Sequence, residues 1–204
     1  MTKDITNVFV VDDDAAVRDS LRMLLRAAGY SVATFPNANE FLSVCNPETE
    51  GCIILDVTMP GMDGPALQEE LKRRGSLLPI IFLTGHGSIP LSVRTLKAGA
   101  VDFMTKPVKG AELMACIEQA LKKCALLHEQ SHELQSMATL LAKLTEREKE
   151  VMMLVIEGLT SKIIAERLGI SNRTVEVYRA RIMQKTGASN ILELASVAKF
   201  HVTH

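Results

Sequence analysis

The 204-residue sequence predicts an α/β domain built on a doubly wound five-stranded parallel sheet, followed by a linker helix and an all-α domain with a helix-turn-helix. Three observations carry this expectation. Five short apolar runs recur in the first half and alternate with helical patterns that stop at glycine, the signature of βα units and a parallel sheet. After Pro107 the pattern turns helical and no further strand appears. The length exceeds that of a usual single domain, and a composition of 47% hydrophobic and 23% charged residues belongs to folded globular chains rather than disordered ones.

The first strand is read at Val8–Val11, with Asp14 as N-cap of a helix over Ala15–Ala28 that Gly29 ends. Strands follow at Val32–Phe35 and Cys52–Leu55, then a helix at Ala66–Arg73 ended by Gly75. A fourth strand at Ile80–Leu83, a helix at Ile89–Ala98 ended by Gly99, and a weaker strand at Val101–Met104 complete the alternation. From Gly110 the helical pattern runs past Leu127 without a Gly or Pro break, so the linker is read as helical. Leu127, Leu134 and Leu141 repeat every seven residues, with Met137 and Leu144 offset by three, the spacing of a short coiled-coil seam.

Thr145 and Glu148 have the spacing of a capping box, and Gly158 stops the helix they open. Lys162–Leu168, then Gly169 and Ile170, then Ser171 opening a helix to about Thr186, reads as helix, tight turn, helix. Ile170 and Val175 have the spacing of a hydrophobic staple that would set the angle between the two helices. The expected division is 5–123 for the α/β domain, 124–142 for the linker helix and 143–204 for the helical domain.

Charge separates the halves. Residues 1–142 hold 13 Lys/Arg against 17 Asp/Glu, and residues 143–204 hold ten against seven. A metal or phosphate site in the first part and a polyanion partner for the second would suit that asymmetry. The N-terminus has no cationic stretch leading into an apolar one, and nowhere do ~18 apolar residues run together, so a cytoplasmic protein without membrane contact is expected. Cys45, Cys52, Cys116 and Cys124 form no CxxC pair and are read as reduced packing residues.

In doubly wound sheets, ligands bind beyond the carboxyl ends of the strands where the strand order reverses. Asp12 and Asp13 follow the first strand, Asp56 the third, Thr84 the fourth and Lys106 the fifth, so four strands would supply one site. Clustered carboxylates repel one another unless a cation is present, and hard oxygens with open positions suit hydrated Mg²⁺. An ionised aspartate is a competent nucleophile toward phosphorus, and metal plus Lys106 would offset charge on the incoming phosphoryl oxygens. The product would be an aspartyl phosphate.

The segments VVDDD, ILDVTMPGMDG, FLTGH and TKP resemble the flavodoxin-like receiver domains of two-component response regulators. The resemblance implies that Asp56 accepts phosphate from a sensor histidine kinase and that Asp12, Asp13, Asp56 and the backbone carbonyl of Thr58 hold Mg²⁺. It further implies that Lys106 contacts the phosphoryl group across a cis Lys106–Pro107 bond. Thr84 would hydrogen-bond a phosphoryl oxygen and Phe103 would change rotamer behind it. Thr58 and His86, two residues after Asp56 and Thr84, stand where this family tunes phosphate lifetime.

The stretch from Leu144 to Asn190 is similar to the four-helix LuxR/NarL-type DNA-binding domain, and the whole chain resembles the FixJ-type regulators. That resemblance implies promoter DNA as partner, homodimerisation on phosphorylation through the face around 89–122, and possible contact with RNA polymerase. On the recognition helix, Asn172, Arg173, Thr174, Glu176, Val177, Arg179 and Ala180 are candidates for the groove-facing side, with Arg181 and Lys185 as phosphate contacts. Glu176 either accepts from a cytosine amino group or pairs with Arg173 or Arg179 along its own helix.

Other readings rank lower. Cys124, His128 and His132 are spaced by four and could align metal ligands on one helix stripe, an arrangement that chance supplies more often than function does. Haloacid-dehalogenase phosphatases also pair aspartates after strand one, but their nucleophile stands there in DxDx[TV]. Here DDDAA lacks the Thr/Val and the third strand carries its own Asp56.

Overall fold

The structure, a computed structural model, describes residues 7–85 and 89–198. The chain divides into two compact units, Met1–Glu129 and Gln130–His204. His86, expected to tune phosphate lifetime, and the end of the 143–204 domain lie outside the described residues.

In the first unit five strands, β1 (Asn7–Val11), β2 (Ser31–Phe35), β3 (Cys52–Asp56), β4 (Ile80–Thr84) and β5 (Asp102–Thr105), form one sheet in the order β2-β1-β3-β4-β5. Every pairing is parallel. Strands β3 and β4 are buried along their full length, which is why CIILD and IIFLT are unbroken apolar runs rather than alternating ones.

Helices cover both faces. Leu21 and Leu25 of α1 (Ala15–Ala27) join Leu113, Ile117 and Ala120 of α5 (Gly110–Ala142) over Val8, Val10, Ile54, Ile81 and Leu83. On the other face, Phe41 and Leu42 of α2 (Ala38–Val44) and Leu67 and Leu71 of α3 (Gly64–Arg73) pack on Val11, Ile53, Leu55 and Phe82. Helix α4 (Ile89–Lys97) is tied to α3 by Gln68 Nε2, which donates to the Thr95 carbonyl at 3.2 Å.

The chain runs from β1 outward to β2 and returns to β3 on the opposite side of β1. This reversal puts the carboxyl ends of β1 and β3 at the topological switch point. Helix α2 was not distinguished in the sequence. It is seven residues long, capped by Asn37, whose side chain accepts from Glu40 N–H, and so short a pattern carries little periodicity.

The second unit holds α6 (Glu146–Ile156), α7 (Ser161–Leu168), α8 (Asn172–Thr186) and α9 (Ile191–Ala198). The capping box at Thr145 and Glu148 is present, and Ser171 caps α8 through Thr174 N–H. Gly169, at φ 65°, is the C-cap of α7; it takes the left-handed region that a Cβ disfavours. Val151, Met152, Ile164, Val175 and Ile182 centre this unit's core.

The linker is helical as expected, but no break separates it from the preceding helix: α5 runs 33 residues. The five heptad positions divide by packing. Leu141 and Leu144 are buried in the helical unit's own core, so a coiled-coil partner has no access to them, whereas Leu134 is 44% exposed. The cysteines behave as packing residues: Cys52, Cys116 and Cys124 are buried, and burial, aided by a bond to Asp102, pushes the Cys116 thiol up to about 12.

Candidate functional site

The polar residues expected at one end of the sheet converge there. Asp12 directly follows β1 and Asp56 is the last residue of β3; they are 1% and 6% exposed. Lys106, just after β5, bridges them, its Nζ 2.5 Å from Asp12 Oδ2 and 2.6 Å from Asp56 Oδ1. The Lys106–Pro107 bond is cis, and Lys106 N–H donates to the Thr84 carbonyl at 2.7 Å.

The other Asp56 oxygen, Oδ2, accepts from Thr58 N–H at 2.8 Å. Gly64, the last residue of the MDG segment, explains part of that motif: a Cβ there would stand 2.4 Å from the Asp56 carbonyl oxygen. Any larger residue would push α3 off the strand that carries Asp56.

Asp12 is bound at every polar atom. Its N–H donates to the Phe35 carbonyl at 3.2 Å, and Oδ1 accepts from Asp14 N–H at 3.0 Å. Its carbonyl accepts from Arg18 Nη1 at 2.7 Å. Burial lifts the Asp12 carboxyl above its ordinary range, against the lowering effect of Lys106 and the Asp14 N–H. Burial likewise pulls the Lys106 ammonium down, but its bonds to Asp12 and Asp56 outweigh this and leave it raised.

One ammonium thus serves two carboxylates, with the exposed Asp13 beside them. A buried carboxyl still raised after its hydrogen bonds are counted, next to further hard oxygens, is a donor set suited to a divalent cation such as Mg²⁺. Thr84 is buried at the end of β4. Phe103 is half-buried on β5, its ring centroid 6.2 Å from that of Phe82.

On α8 the side chains of Val175, Ile182 and Thr186 are buried. Arg173, Glu176, Val177, Ala180, Arg181 and Gln184 are exposed and follow helical spacing along one stripe. Asn172 is exposed beside the N-cap, Thr174 Oγ1 lies 2.7 Å from Ser171 Oγ, and Arg179 is half-buried on the flank. Lys185 Nζ is 2.7 Å from Glu148 Oε2, so this residue, expected at DNA phosphates, ties α8 to the N-terminus of α6. Gln184 escaped the sequence reading, although it stands seven residues after Val177, on the same stripe.

The family model described as response regulator receiver domain matches residues 8–118, and that described as bacterial regulatory proteins, luxR family, matches residues 142–198. The chain is a two-component response regulator. Its relatives include transcriptional regulatory protein FixJ of Bradyrhizobium diazoefficiens, 43% identical over 94% of each chain. Response regulator protein TodT of Pseudomonas putida is 41% identical over 94% of this chain and 85% of its own. Among solved structures, the response regulator StyR matches with TM-score 0.86 and 44% identity over 95% of this chain and 98% of its own. Full-length FixJ from B. japonicum covers all of both chains with TM-score 0.59 and 41% identity.

The regulator therefore belongs to the FixJ-type family, with a receiver domain and a LuxR-type DNA-binding domain, and acts in two-component control of transcription. These domains imply DNA and a sensor kinase as partners. No helix among the described residues is long and apolar enough to cross a membrane.

Proposed function

We propose that Asp56 is the phosphoacceptor and that its modification switches sequence-specific DNA binding by the helical unit. The observation that carries this is the Lys106 ammonium shared between Asp56 and Asp12. It holds a nearly buried nucleophile beside a second carboxylate and a cation that can follow the phosphoryl group.

An Asp56 carboxylate oxygen attacks phosphorus; the bond from phosphorus to the phosphohistidine nitrogen of the kinase, or to the bridging oxygen of acetyl phosphate, breaks, and the histidine or the acetate departs with the bonding electron pair. Asp12, Asp13, Asp56 and the Thr58 carbonyl would hold Mg²⁺, which when bound neutralises charge on the phosphoryl oxygens. Asp56 Oδ1 then passes from Lys106 to phosphorus, while Lys106 stays within reach of a phosphoryl oxygen. Thr58 N–H steadies the remaining carbonyl oxygen. Thr84 and Phe103 rearrange toward the new group, which changes the interactions of the 89–122 face and favours homodimers.

The limits proposed are 5–123 for the receiver domain, 124–142 for the linker helix, whose Leu141 packs in the helical unit's core, and 143–204 for the DNA-binding domain. On DNA the exposed α8 stripe enters the major groove, with Asn172, Arg173, Thr174, Glu176, Val177, Arg179 and Ala180 at or beside base edges and Arg181 at a phosphate. Lys185 reaches phosphate only by leaving Glu148. RNA polymerase contact and a cytoplasmic location complete the reading.

Incubation with acetyl phosphate and Mg²⁺ is expected to add a single phosphoryl group to the wild type and none to Asp56→Asn, read by intact-protein mass. Equal labelling of the two would sink the assignment.

A further inference from the structure

The acidic turn is held by a residue that none of the phosphoryl chemistry above uses. Arg18 lies one turn into α1, half-buried, and its N–H donates to the Asp14 carbonyl as part of the helix. Its guanidinium turns back to the start of the turn, where Nη1 donates to the Asp12 carbonyl at 2.7 Å.

We propose that Arg18 is a positioning residue for the cation site: by fixing the Asp12 main chain it holds the Asp12–Asp13 turn in the conformation that binds Mg²⁺. The proposal rests on the reading of the acidic cluster as a Mg²⁺ site.

The bonds on Asp12 do not all survive a bound cation in the same way. Lys106 sits on the Asp12 carboxylate itself, so a metal taking that oxygen displaces or shifts the ammonium. The Asp14 N–H sits on the other carboxylate oxygen. Only the main-chain bonds, Asp12 N–H to Phe35 and Arg18 to the Asp12 carbonyl, leave the carboxylate unencumbered among the bonds described for this residue. The Phe35 bond is neutral and 3.2 Å long, whereas the Arg18 bond is short and charge-assisted, the stronger kind. When Lys106 gives way, Arg18 is the charge-assisted restraint left on the Asp12 main chain, beside the neutral bonds of the Asp14 N–H to Asp12 Oδ1 and of the Asp12 N–H to Phe35.

A competing effect has the opposite sign. A guanidinium this close to the site repels an incoming cation, so if its charge mattered more than its grip, removing it would tighten Mg²⁺ binding. The sign of the change therefore separates the two roles. A merely structural role is separated by stability without metal, which loss of a fold residue lowers and loss of a residue that only shapes the cation site does not.

The test compares the full-length wild type with Arg18→Met, which keeps length and loses the donor, and Arg18→Lys, which keeps a charged donor. Mg²⁺ dissociation constants come from calorimetric titration, and melting temperatures are taken in EDTA. Arg18→Met is expected to bind Mg²⁺ about tenfold more weakly, ~1.4 kcal/mol, at the lower edge of what a charged hydrogen bond contributes. Its melting temperature in EDTA should match the wild type, and Arg18→Lys should recover most of the affinity.

Binding by Arg18→Met that equals or exceeds the wild type overturns the assignment and leaves the acidic site intact. Weaker binding together with a marked fall of the metal-free melting temperature also overturns it, by making Arg18 a fold residue. A wild type that takes up no Mg²⁺ removes the site itself, and with it this proposal.

Discussion

The Asp12 carboxyl, raised by burial from its ordinary 3.8, holds its proton more tightly in the folded chain than in the unfolded one. Its contribution to stability is therefore present at low pH and is lost as pH rises through the raised value. A cation opposes that loss because it binds only the ionised form. The rise in melting temperature produced by Mg²⁺ should accordingly grow as pH climbs through the window above 3.8 and vanish below it. Asp12→Asn should flatten the dependence; thermal melts across pH with and without Mg²⁺ read this, and pH-independent stabilisation by Mg²⁺ of the wild type would contradict it. Among single residues the acids were legible because they stand at strand ends inside apolar runs. Arg18 was not, since an arginine on a helix has many possible partners and only its rotamer selects the Asp12 carbonyl.

Helix α5 illustrates how one element's residues divide their duties. Leu134 and Leu141 occupy equivalent places in a heptad, yet Leu141 is 7% exposed and packed in the helical unit while Leu134 is 44% exposed. Leu141→Ala should cost about 2–4 kcal/mol and Leu134→Ala well under 1 kcal/mol, measured by denaturant unfolding of the helical unit's transition. Equal costs would return the pair to a common role. The end of α8 makes a similar point. Lys185 lowers the Glu148 carboxyl from its ordinary value through its hydrogen bond, with the Thr145 N–H adding to the effect. A lowered carboxyl stabilises the fold above its unfolded pKa and loses this as pH falls through the folded one. With the Lys185 side chain 36% exposed, solvent screening trims the pair, and Lys185→Met should cost about 1–2 kcal/mol near neutral pH. That cost should shrink as acid protonates Glu148; a cost that stays constant down to pH 3 would show that packing, not charge, is responsible.

For the regulator as a whole, the phosphates it neutralises supply the salt-dependent share of DNA affinity. Counterion release makes binding fall steeply with salt, by about 0.9 in log–log slope for each phosphate contact on duplex DNA. Arg181→Ala should weaken binding to every sequence and lower that slope by about 1, whereas a change at Val177, exposed in the middle of the α8 stripe, should alter which bases are preferred with the slope unchanged. Operator binding measured across a salt series for the phosphorylated protein distinguishes the two; an Arg181→Ala slope equal to the wild type would remove Arg181 from the phosphate contacts.

The five strands, the helix caps at Asp14, Thr145 and Ser171, and the placing of Asp12, Asp56, Thr84 and Lys106 at strand ends could all be read from the chain. Burial along a parallel sheet makes strands apolar runs, caps require hydroxyl or carboxyl oxygens at fixed offsets, and both are local in sequence. Other features depended on residues far apart in sequence meeting in space. The single ammonium shared by Asp12 and Asp56, Lys185 drawn onto Glu148, Leu141 taken into a core, and Arg18 turned onto a carbonyl are choices among several chemically equal partners. Only packing decides which partner lies within 3 Å of such a side chain, and periodicity carries no record of that choice.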